Sequence, residues 1–171
     1  APELDAGDII LQRSTPIDPE EDAAALYDRL AEMGGALLVE AVETIRTGAA
    51  THTPQDHAAH TLAPMLTKAL SPVDWGRSAR EIHDQIRGLI PWPGASTVAL
   101  TGEPVKLWRA QVLDRKSEKI PGTVVEAGAQ GIDMACGDGR VLRILELQAP
   151  GARRMAAADY LRGHPIEGIR N

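Results

Sequence analysis

Phenylalanine is absent from this sequence of 171 residues, and aromatic residues make up only 3% of the total. We therefore expect an aliphatic core, and we do not expect a surface that stacks successive bases on several rings. The single cysteine, Cys136, cannot form an internal disulfide, which indicates a reduced, cytoplasmic setting. No apolar run approaches the roughly 18 residues that span a membrane, so we expect no membrane partner. The acidic N-terminus is unlike the basic start of a signal peptide.

Positive charge is also scarce in the chain as a whole, whose net charge is −6. This balance excludes a globally basic nucleic-acid protein, so that any anionic partner must bind a local patch. The charge is unevenly distributed, because residues 1–70 contain 12 acidic and 4 basic residues, whereas residues 101–171 contain 9 acidic and 11 basic residues. The two ends of the chain therefore differ in their electrostatic character.

The N-terminal third has the pattern of an α/β layer. The β-branched and aliphatic run Asp8–Ile17 predicts a strand. Asp18 and the proline after it predict a helix start, Gly34–Gly35 a break, and Gly48 the end of a second helix. A single strand with two helices leaves both sheet edges unpaired, so we expect that this chain begins inside a domain.

Beyond this layer, residues 49–72 lack sustained periodicity and contain three prolines, as a linker does. A capping box at Ser78 predicts a short helix that stops before Pro91. Five short strands and a closing helix over Ala156–Arg162 should follow, and they indicate a small closed sheet such as an oligonucleotide/oligosaccharide-binding (OB) barrel. The predicted strands are Ser96–Leu100, Pro104–Asp114, Thr123–Ala127, Ile132–Cys136 and Arg140–Gln148.

Three groups of residues raise the question of a site. The side chains of His52, Asp56, His57 and His60 are of metal-binding type, but their spacing fits no zinc motif, and we expect solvated linker side chains and no metal. Cys136 has no histidine nearby in the sequence, which favours a buried structural thiol over a nucleophile.

The basic residues of the last third admit two interpretations. They could form a phosphate-binding face on a barrel or remain scattered, solvated charges. The most concentrated pair is Arg153-Arg154, in the loop after the last predicted strand. The ten residues are Lys106, Arg109, Arg115, Lys116, Lys119, Arg140, Arg143, Arg153, Arg154 and Arg162.

Eight motifs follow one another along the chain. They are L-D-A-G-D-I-I-L-Q-R-S-T-P-I (Leu4–Ile17), T-P-Q-D (Thr53–Asp56), V-D-W (Val73–Trp75), I-R-x-x-x-P-W-P-G (Ile86–Gly94), V-K-L-W-R-A (Val105–Ala110), P-G-T-V (Pro121–Val124), C-G-D-G (Cys136–Gly139) and L-x-L-Q-x-P-G-x-R-R-M (Leu145–Met155). In this order and spacing, they resemble the methionyl-tRNA formyltransferase family along nearly the whole chain.

This resemblance implies an α/β remnant, the last strand and helices of a Rossmann-like formyltransferase domain, over residues 1–48. It further implies a linker over residues 49–72 and a β-rich OB-fold barrel domain that binds tRNA over residues 73–171. The family's catalytic asparagine and histidine would precede the residues present here, and its aspartate corresponds to Asp5. Glu3 and Leu4 would belong to the loop that holds the pterin.

The implied reaction moves a formyl group from 10-formyltetrahydrofolate to the α-amino group of the methionine on initiator methionyl-tRNA. A carboxylate beside a histidine favours the imidazolium, which can stabilise the developing oxyanion. Asp5 would be that carboxylate, although an aspartate before a strand is by ordinary chemistry a turn former. The tRNA would contact Lys106, Arg109, Arg153 and Arg154. We expect a monomer when intact, and we expect these 171 residues alone to be inactive.

The chain departs from the family at Leu89-Ile90 and Ser96, where aromatic residues and an asparagine are common. Two other interpretations stay open. The chain could be a non-catalytic tRNA-binding OB-fold module, or part of a sugar-nucleotide (UDP-amino sugar) formyltransferase, which shares the L-D-x-G and P-W-P-G elements. The R-R-M after L-Q-x-P-G favours the tRNA enzyme.

Overall fold

The computed structural model describes residues 5–166. Contacts within the chain divide it into a first unit that ends at Met65 and a second unit that begins at Leu66. The regular elements are α1 (Ala23–Arg46), two 3₁₀ helices (His57–Ala59 and Lys68–Leu70), α2 (Ala79–Gly88), β1 (Ala95–Thr97), β2 (Val105–Lys116), β3 (Val124–Gly128), β4 (Gly131–Ala135), β5 (Arg140–Gln148), β6 (Met155–Ala156) and α3 (Ala157–Gly163).

Helix α1 replaces the two helices that the sequence predicts. The expected break at Gly34–Gly35 is wrong, because the helix continues through both glycines. A glycine costs a helix only about 1 kcal/mol relative to alanine, and the helix-forming residues on either side outweigh that cost. The start also lies later than predicted, since the side chain of Asp22 caps the helix by accepting the Ala25 N–H. The predicted end is confirmed, with Gly48 at φ +71° directly after the cap.

The strand predicted over Asp8–Ile17 is also wrong. This segment forms one isolated bridge, in which Ile9 and Thr53 exchange both backbone hydrogen bonds at 2.8 and 3.0 Å. A strand needs a neighbour along its length, and in the described part of this unit only Thr53 provides one. The apolar pattern that predicts the strand is present, but the described residues of this unit contain no sheet with which it could pair.

Helix α1 has an apolar surface that the first unit does not cover. None of its residues is buried. Within residues 5–166, no helix combines the length and apolar character that a membrane crossing needs. The exposed apolar side chains of helix α1 are Tyr27, Leu30, Leu38, Val39, Val42 and Ile45.

The second unit is built on a six-stranded antiparallel sheet with the order β1-β2-β5-β4-β3, and β6 pairs with β5. The five predicted strands are confirmed with ends shifted by up to three residues, and the closing helix is shifted by one. The sequence does not predict β6, because two residues carry no alternation. The shape is a mixed α/β fold in which all pairings of named strands are antiparallel.

An aliphatic core holds this sheet together, as the lack of phenylalanine predicts. Helix α2 begins at the predicted capping box, where Ser78 and Glu81 bond to each other's backbone N–H groups. The Ser78 hydroxyl also donates to the Glu81 carboxylate at 2.7 Å, and this bond, together with those from Arg77 and the Ser78 N–H, lowers the pKa of Glu81 to about 2. The largest fully buried aliphatic side chains are Ile82, Ile86, Val105, Leu107, Ile132, Met134, Val141, Leu142, Ile144 and Leu147.

The C-G-D-G turn between β4 and β5 fastens the start of α2 to the sheet. The N–H of Gly137 donates to the Arg77 carbonyl at 2.8 Å. The carboxylate of Asp138 accepts the N–H of Ala79 at 3.3 Å, at the first turn of the helix. A Cβ at Gly137 would lie 1.8 Å from the carbonyl oxygen of Gly76, so this approach of two backbones needs glycine.

We expect Gly137→Ala to lower the free energy of unfolding by at least about 2 kcal/mol, because the new methyl group would force the two backbones apart. Denaturant unfolding followed by circular dichroism measures this change. Gly128→Ala is the matched control, since a Cβ there meets no atom within 4 Å, and it should cost about 0.5 kcal/mol or less. Equal values for both variants would contradict the role of this approach.

Candidate functional site

Asp5 lies in a turn at the start of the described chain, and its side chain is exposed. Its φ of +58° falls in the left-handed region, where aspartate is one of the few tolerated residues other than glycine. The side-chain amide of Gln55 donates to the carbonyl oxygens of Asp5 and Gly7 at 2.9 and 2.6 Å. The turn is therefore held from outside, by a residue 50 positions along the chain. Glu3 and Leu4, expected beside the pterin, lie outside the described residues.

A cleft of about 780 Å³ opens beside this turn. Asp5, Asp56, His57 and His60 all line it, so three of the four linker residues with metal-binding side chains lie beside the predicted catalytic carboxylate, and the fourth, His52, does not line the cleft. Asp56 caps the short helix there by accepting the Ala58 N–H at 2.9 Å. Across residues 5–166, no group of three or more His, Cys, Asp or Glu side chains is arranged to hold a metal ion. The cleft is polar and open to solvent.

In the second unit, a bulge on β2 shapes a different surface. Lys106 pairs with Gln148 and Arg109 pairs with Glu146, so that Trp108 is the extra residue on its strand. The indole N–H of Trp108 donates to the Gln148 side-chain oxygen at 3.1 Å. We call the surface formed by Lys106, Trp108, Arg109, Glu146, Gln148, Arg153 and Arg154 the β2–β5 face.

The loop that carries Arg153 and Arg154 is anchored to this face. The side-chain amide of Gln148 donates to the carbonyl of Ala152 at 2.8 Å. The guanidinium carbon of Arg154 lies 4.9 Å from the centre of a Trp108 ring, within the range of a cation–π contact. Its Nε also donates to Glu146 at 2.6 Å. Both arginines are exposed, but Arg154 is paired and stacked, whereas Arg153 forms no ion pair within the described residues.

Several other predicted basic residues are occupied by the protein itself. Arg143 donates twice to the carboxylate of Asp133, at 2.6 and 2.9 Å, and Arg115 contacts the same carboxylate at 3.4 Å. Asp133 is 1% exposed, so this is a buried charge that must be paired. Arg115 also binds Glu126 at 2.6 Å, and this bond lowers the pKa of Glu126.

These pairings divide the predicted basic residues into two classes. Arg115, Arg143, Arg154 and Arg162 are ion-paired, and Lys119 donates to two backbone carbonyls. Lys106, Arg109, Lys116, Arg140 and Arg153 are exposed and show no ion pair in the part of the chain that the structure describes, and Lys106, Arg109 and Arg153 belong to the β2–β5 face. These three cations of the β2–β5 face are therefore available to an external anion.

Cys136 is a structural thiol. It is 2% exposed at the end of β4, and its Sγ contacts the Met134 carbonyl at 3.8 Å. Burial and the nearby charge of Asp138 raise the pKa of the Cys136 thiol to about 11. A thiol in this state is not a nucleophile at neutral pH.

Two site residues escape the sequence analysis. Trp108 lies inside the V-K-L-W-R-A motif, and its alternation with Lys106 could have placed both on one face. Gln55 lies inside T-P-Q-D, but nothing in the sequence predicts that its amide reaches the turn at Asp5. The first miss had a signal in the strand period and the second had none.

Comparisons with known proteins show which family the chain is similar to. The model of the formyl transferase C-terminal domain matches residues 65–165. The chain is 42% identical to methionyl-tRNA formyltransferase from Trichlorobacter lovleyi over 163 residues, which are 95% of this chain and 50% of that protein. It is 44% identical to the enzyme of the same name from Moorella thermoacetica over 166 residues, 97% of this chain and 53% of that protein.

A solved structure shows the same fold. It is the crystal structure of HypX from Aquifex aeolicus in complex with tetrahydrofolic acid, which matches with a TM-score of 0.69 and 25% identity. The match covers 99% of this chain and 29% of HypX. The chain spans about half the length of the two methionyl-tRNA formyltransferases that it matches.

We expect Arg143→Ala to lower the free energy of unfolding by about 3 kcal/mol or more, because it leaves the buried carboxylate of Asp133 without its main partner. Arg162→Ala is the control, since its ion pair with Asp159 is exposed and should be worth less than about 1 kcal/mol. Thermal and denaturant unfolding of both variants gives the comparison. A loss for Arg143→Ala no larger than the control's would mean that Asp133 does not require pairing.

Proposed function

Because the chain belongs to the formyl transferase C-terminal domain family and corresponds to the C-terminal portion of methionyl-tRNA formyltransferases, we propose that it takes part in formylation of initiator methionyl-tRNA. The observation that carries this proposal is the identity of 42–44% along at least 95% of the chain to two enzymes of that name. Both names specify methionyl-tRNA, which favours this acceptor over a sugar nucleotide. The donor in the proposal is 10-formyltetrahydrofolate.

Each part of the chain has a proposed place in this function. Residues 1–48 form the end of a Rossmann-like formyltransferase domain, residues 49–72 the linker, and residues 73–171 an OB-fold barrel. The six antiparallel strands of the second unit support the barrel assignment. The protein works as a cytoplasmic monomer when intact. These 171 residues alone do not complete the reaction, because the family resemblance assigns the catalytic histidine and asparagine to residues upstream of Asp5.

The β2–β5 face binds the tRNA in this proposal. Lys106, Arg109 and Arg153 are the cations of that face that form no ion pair within the described residues, and they contact phosphates. Their arrangement suits recognition of a duplex arm by shape, through phosphates and 2′-hydroxyl groups. Arg154 also contacts the tRNA in this proposal, and its contacts with Trp108 and Glu146 fix the loop that presents Arg153.

In this proposal, formyl transfer takes place at the cleft beside Asp5. Bound 10-formyltetrahydrofolate supplies the formyl group, whose bond to the folate nitrogen breaks as the methionine amine bonds to its carbon. The exposed carboxylate of Asp5 lines the cleft. It keeps the imidazole of the family's catalytic histidine, which the resemblance places upstream of Asp5, protonated. That imidazolium stabilises the oxyanion and helps the amine proton reach the departing nitrogen. The polar groups that line the cleft suit a heteroaromatic ring with amide and amine groups.

Removing an exposed cation from the β2–β5 face should weaken tRNA binding in a salt-dependent way. We expect Arg153→Ala to flatten the slope of log K against log salt concentration by about 0.7 to 0.9, the value of one phosphate contact. Titration of labelled initiator tRNA at several salt concentrations measures the slope.

Two further variants make this test specific. Arg154→Ala should change the slope less, because Glu146 already neutralises that guanidinium. Arg46→Ala, which removes an exposed arginine paired with Glu43 in the first unit, should leave binding unchanged. An unchanged slope for Arg153→Ala would return this residue to the class of solvated charges.

Asp5→Asn separates the catalytic role of Asp5 from a turn-forming one. Asparagine also tolerates the left-handed backbone but carries no charge. In the natural full-length protein we expect kcat to fall by about a hundredfold or more, the scale on which positioned acid–base groups act. The affinity for tRNA should not change. Formylation of methionyl-tRNA at saturating 10-formyltetrahydrofolate gives kcat.

Asp8→Asn is the matched control, since Asp8 is an exposed carboxylate three residues away. It should retain the wild-type kcat. If Asp5→Asn melts normally and also retains wild-type kcat, Asp5 is a turn former and its catalytic assignment is wrong.

A further inference from the structure

The segment Thr53–Asp56 is bonded to the turn that carries Asp5 at two places. Gln55 uses both hydrogens of its amide, one on the carbonyl of Asp5 and one on that of Gly7. Two residues before it, Thr53 exchanges two backbone hydrogen bonds with Ile9. The turn is therefore held along its length by one short stretch of chain, all within the first unit.

The backbone of Asp5 needs such support. At φ +58° it is the only residue other than glycine with a left-handed φ among residues 5–166. Such a conformation persists only where the surroundings fix it. Gln55 is half-buried, and its side-chain amide donates to the carbonyls of Asp5 and Gly7, which flank Ala6. A side chain with two donors on one nitrogen suits this pair of acceptors.

We propose that Gln55 is a positioning residue, which sets the direction of the Asp5 carboxylate by fixing the backbone of its turn. This inference rests on the proposed function, because it gives Gln55 a role in formyl transfer. The carboxylate is attached to a backbone that Gln55 bonds at the Asp5 carbonyl and again two residues later at the Gly7 carbonyl, so a change at Gln55 alters the position of this charge relative to the catalytic imidazole. Gln55 acts through Asp5 and does not contact the reacting atoms.

A positioning role differs from a merely structural one in its kinetic effect. Loss of the clamp leaves the binding cations of the second unit intact, so the KM for methionyl-tRNA stays unchanged while kcat falls. A structural residue, by contrast, would lower the melting temperature and the amount of active protein without altering kcat per active site. The proposal therefore predicts a split between kcat and KM.

The experiment compares three variants of the natural full-length protein. Gln55→Ala removes both donors. Gln55→Glu keeps the size but turns an ionised, acceptor-only group toward two carbonyl oxygens. Gln12→Ala is the matched control, since Gln12 is an exposed glutamine of the same unit. We expect kcat to fall by about tenfold or more in both Gln55 variants, the effect of a small misplacement at a catalytic group, and to stay at wild type in the control.

Hydrogen exchange supplies a readout that does not depend on activity. The amides of Ile9 and Thr53 should exchange faster in Gln55→Ala than in Gln12→Ala, because the turn is released. Wild-type kcat in Gln55→Ala overturns the positioning role, whether or not exchange increases. If the wild-type protein does not formylate methionyl-tRNA at all, the proposed function itself is wrong. If the wild-type protein does formylate it and Gln55→Ala is fully active, only the positioning role of Gln55 is wrong.

Discussion

The buried carboxylate of Asp133 is the constraint on which the surface of the second unit depends. A charge that is 1% exposed in a strand buried along its whole length must be paired, and Arg143 and Arg115 supply the pairing. Two cations that would otherwise be available to an external anion are thereby paired with an internal acid. The cations left for an external anion are those that no internal acid requires, chiefly Lys106, Arg109 and Arg153.

The sequence predicts the second unit far better than the first, and the reason lies in the range of the signals. Its signals are local patterns: the capping box at Ser78, the glycine turns and the alternation along β2 and β5. Each of these patterns forms the predicted structure at its own position in the sequence. The run Asp8–Ile17 predicts a strand only if a neighbour pairs with it, and in the described residues Thr53 alone does so. The glycine pair in α1 is a weak local signal that a long helix overrides.

The candidate site divides in a similar way. Resemblance assigns Asp5, Lys106 and Arg153 from single positions in motifs, and the structure adds the contacts that surround them. What the sequence could not reveal is how side chains meet: the bulge at Trp108 and the reach of Gln55 across 50 residues depend on register and on tertiary contacts. Arg154 shows the consequence, because its neighbour in the sequence is exposed while it is itself paired with Glu146.

The two units also differ in the work that their charges can do. Residues 1–65 contain 12 acidic and 3 basic residues, whereas residues 66–171 contain 12 acidic and 15 basic residues. Under the proposed function, the tRNA polyanion gains its binding energy from the second unit and none from the acidic first unit. Under the same proposal, the exposed carboxylate of Asp5 in the first unit holds the catalytic imidazole protonated. Under the proposed function, binding and chemistry therefore reside in separate units, so that changes at the β2–β5 face act on affinity and changes at the Asp5 turn act on kcat.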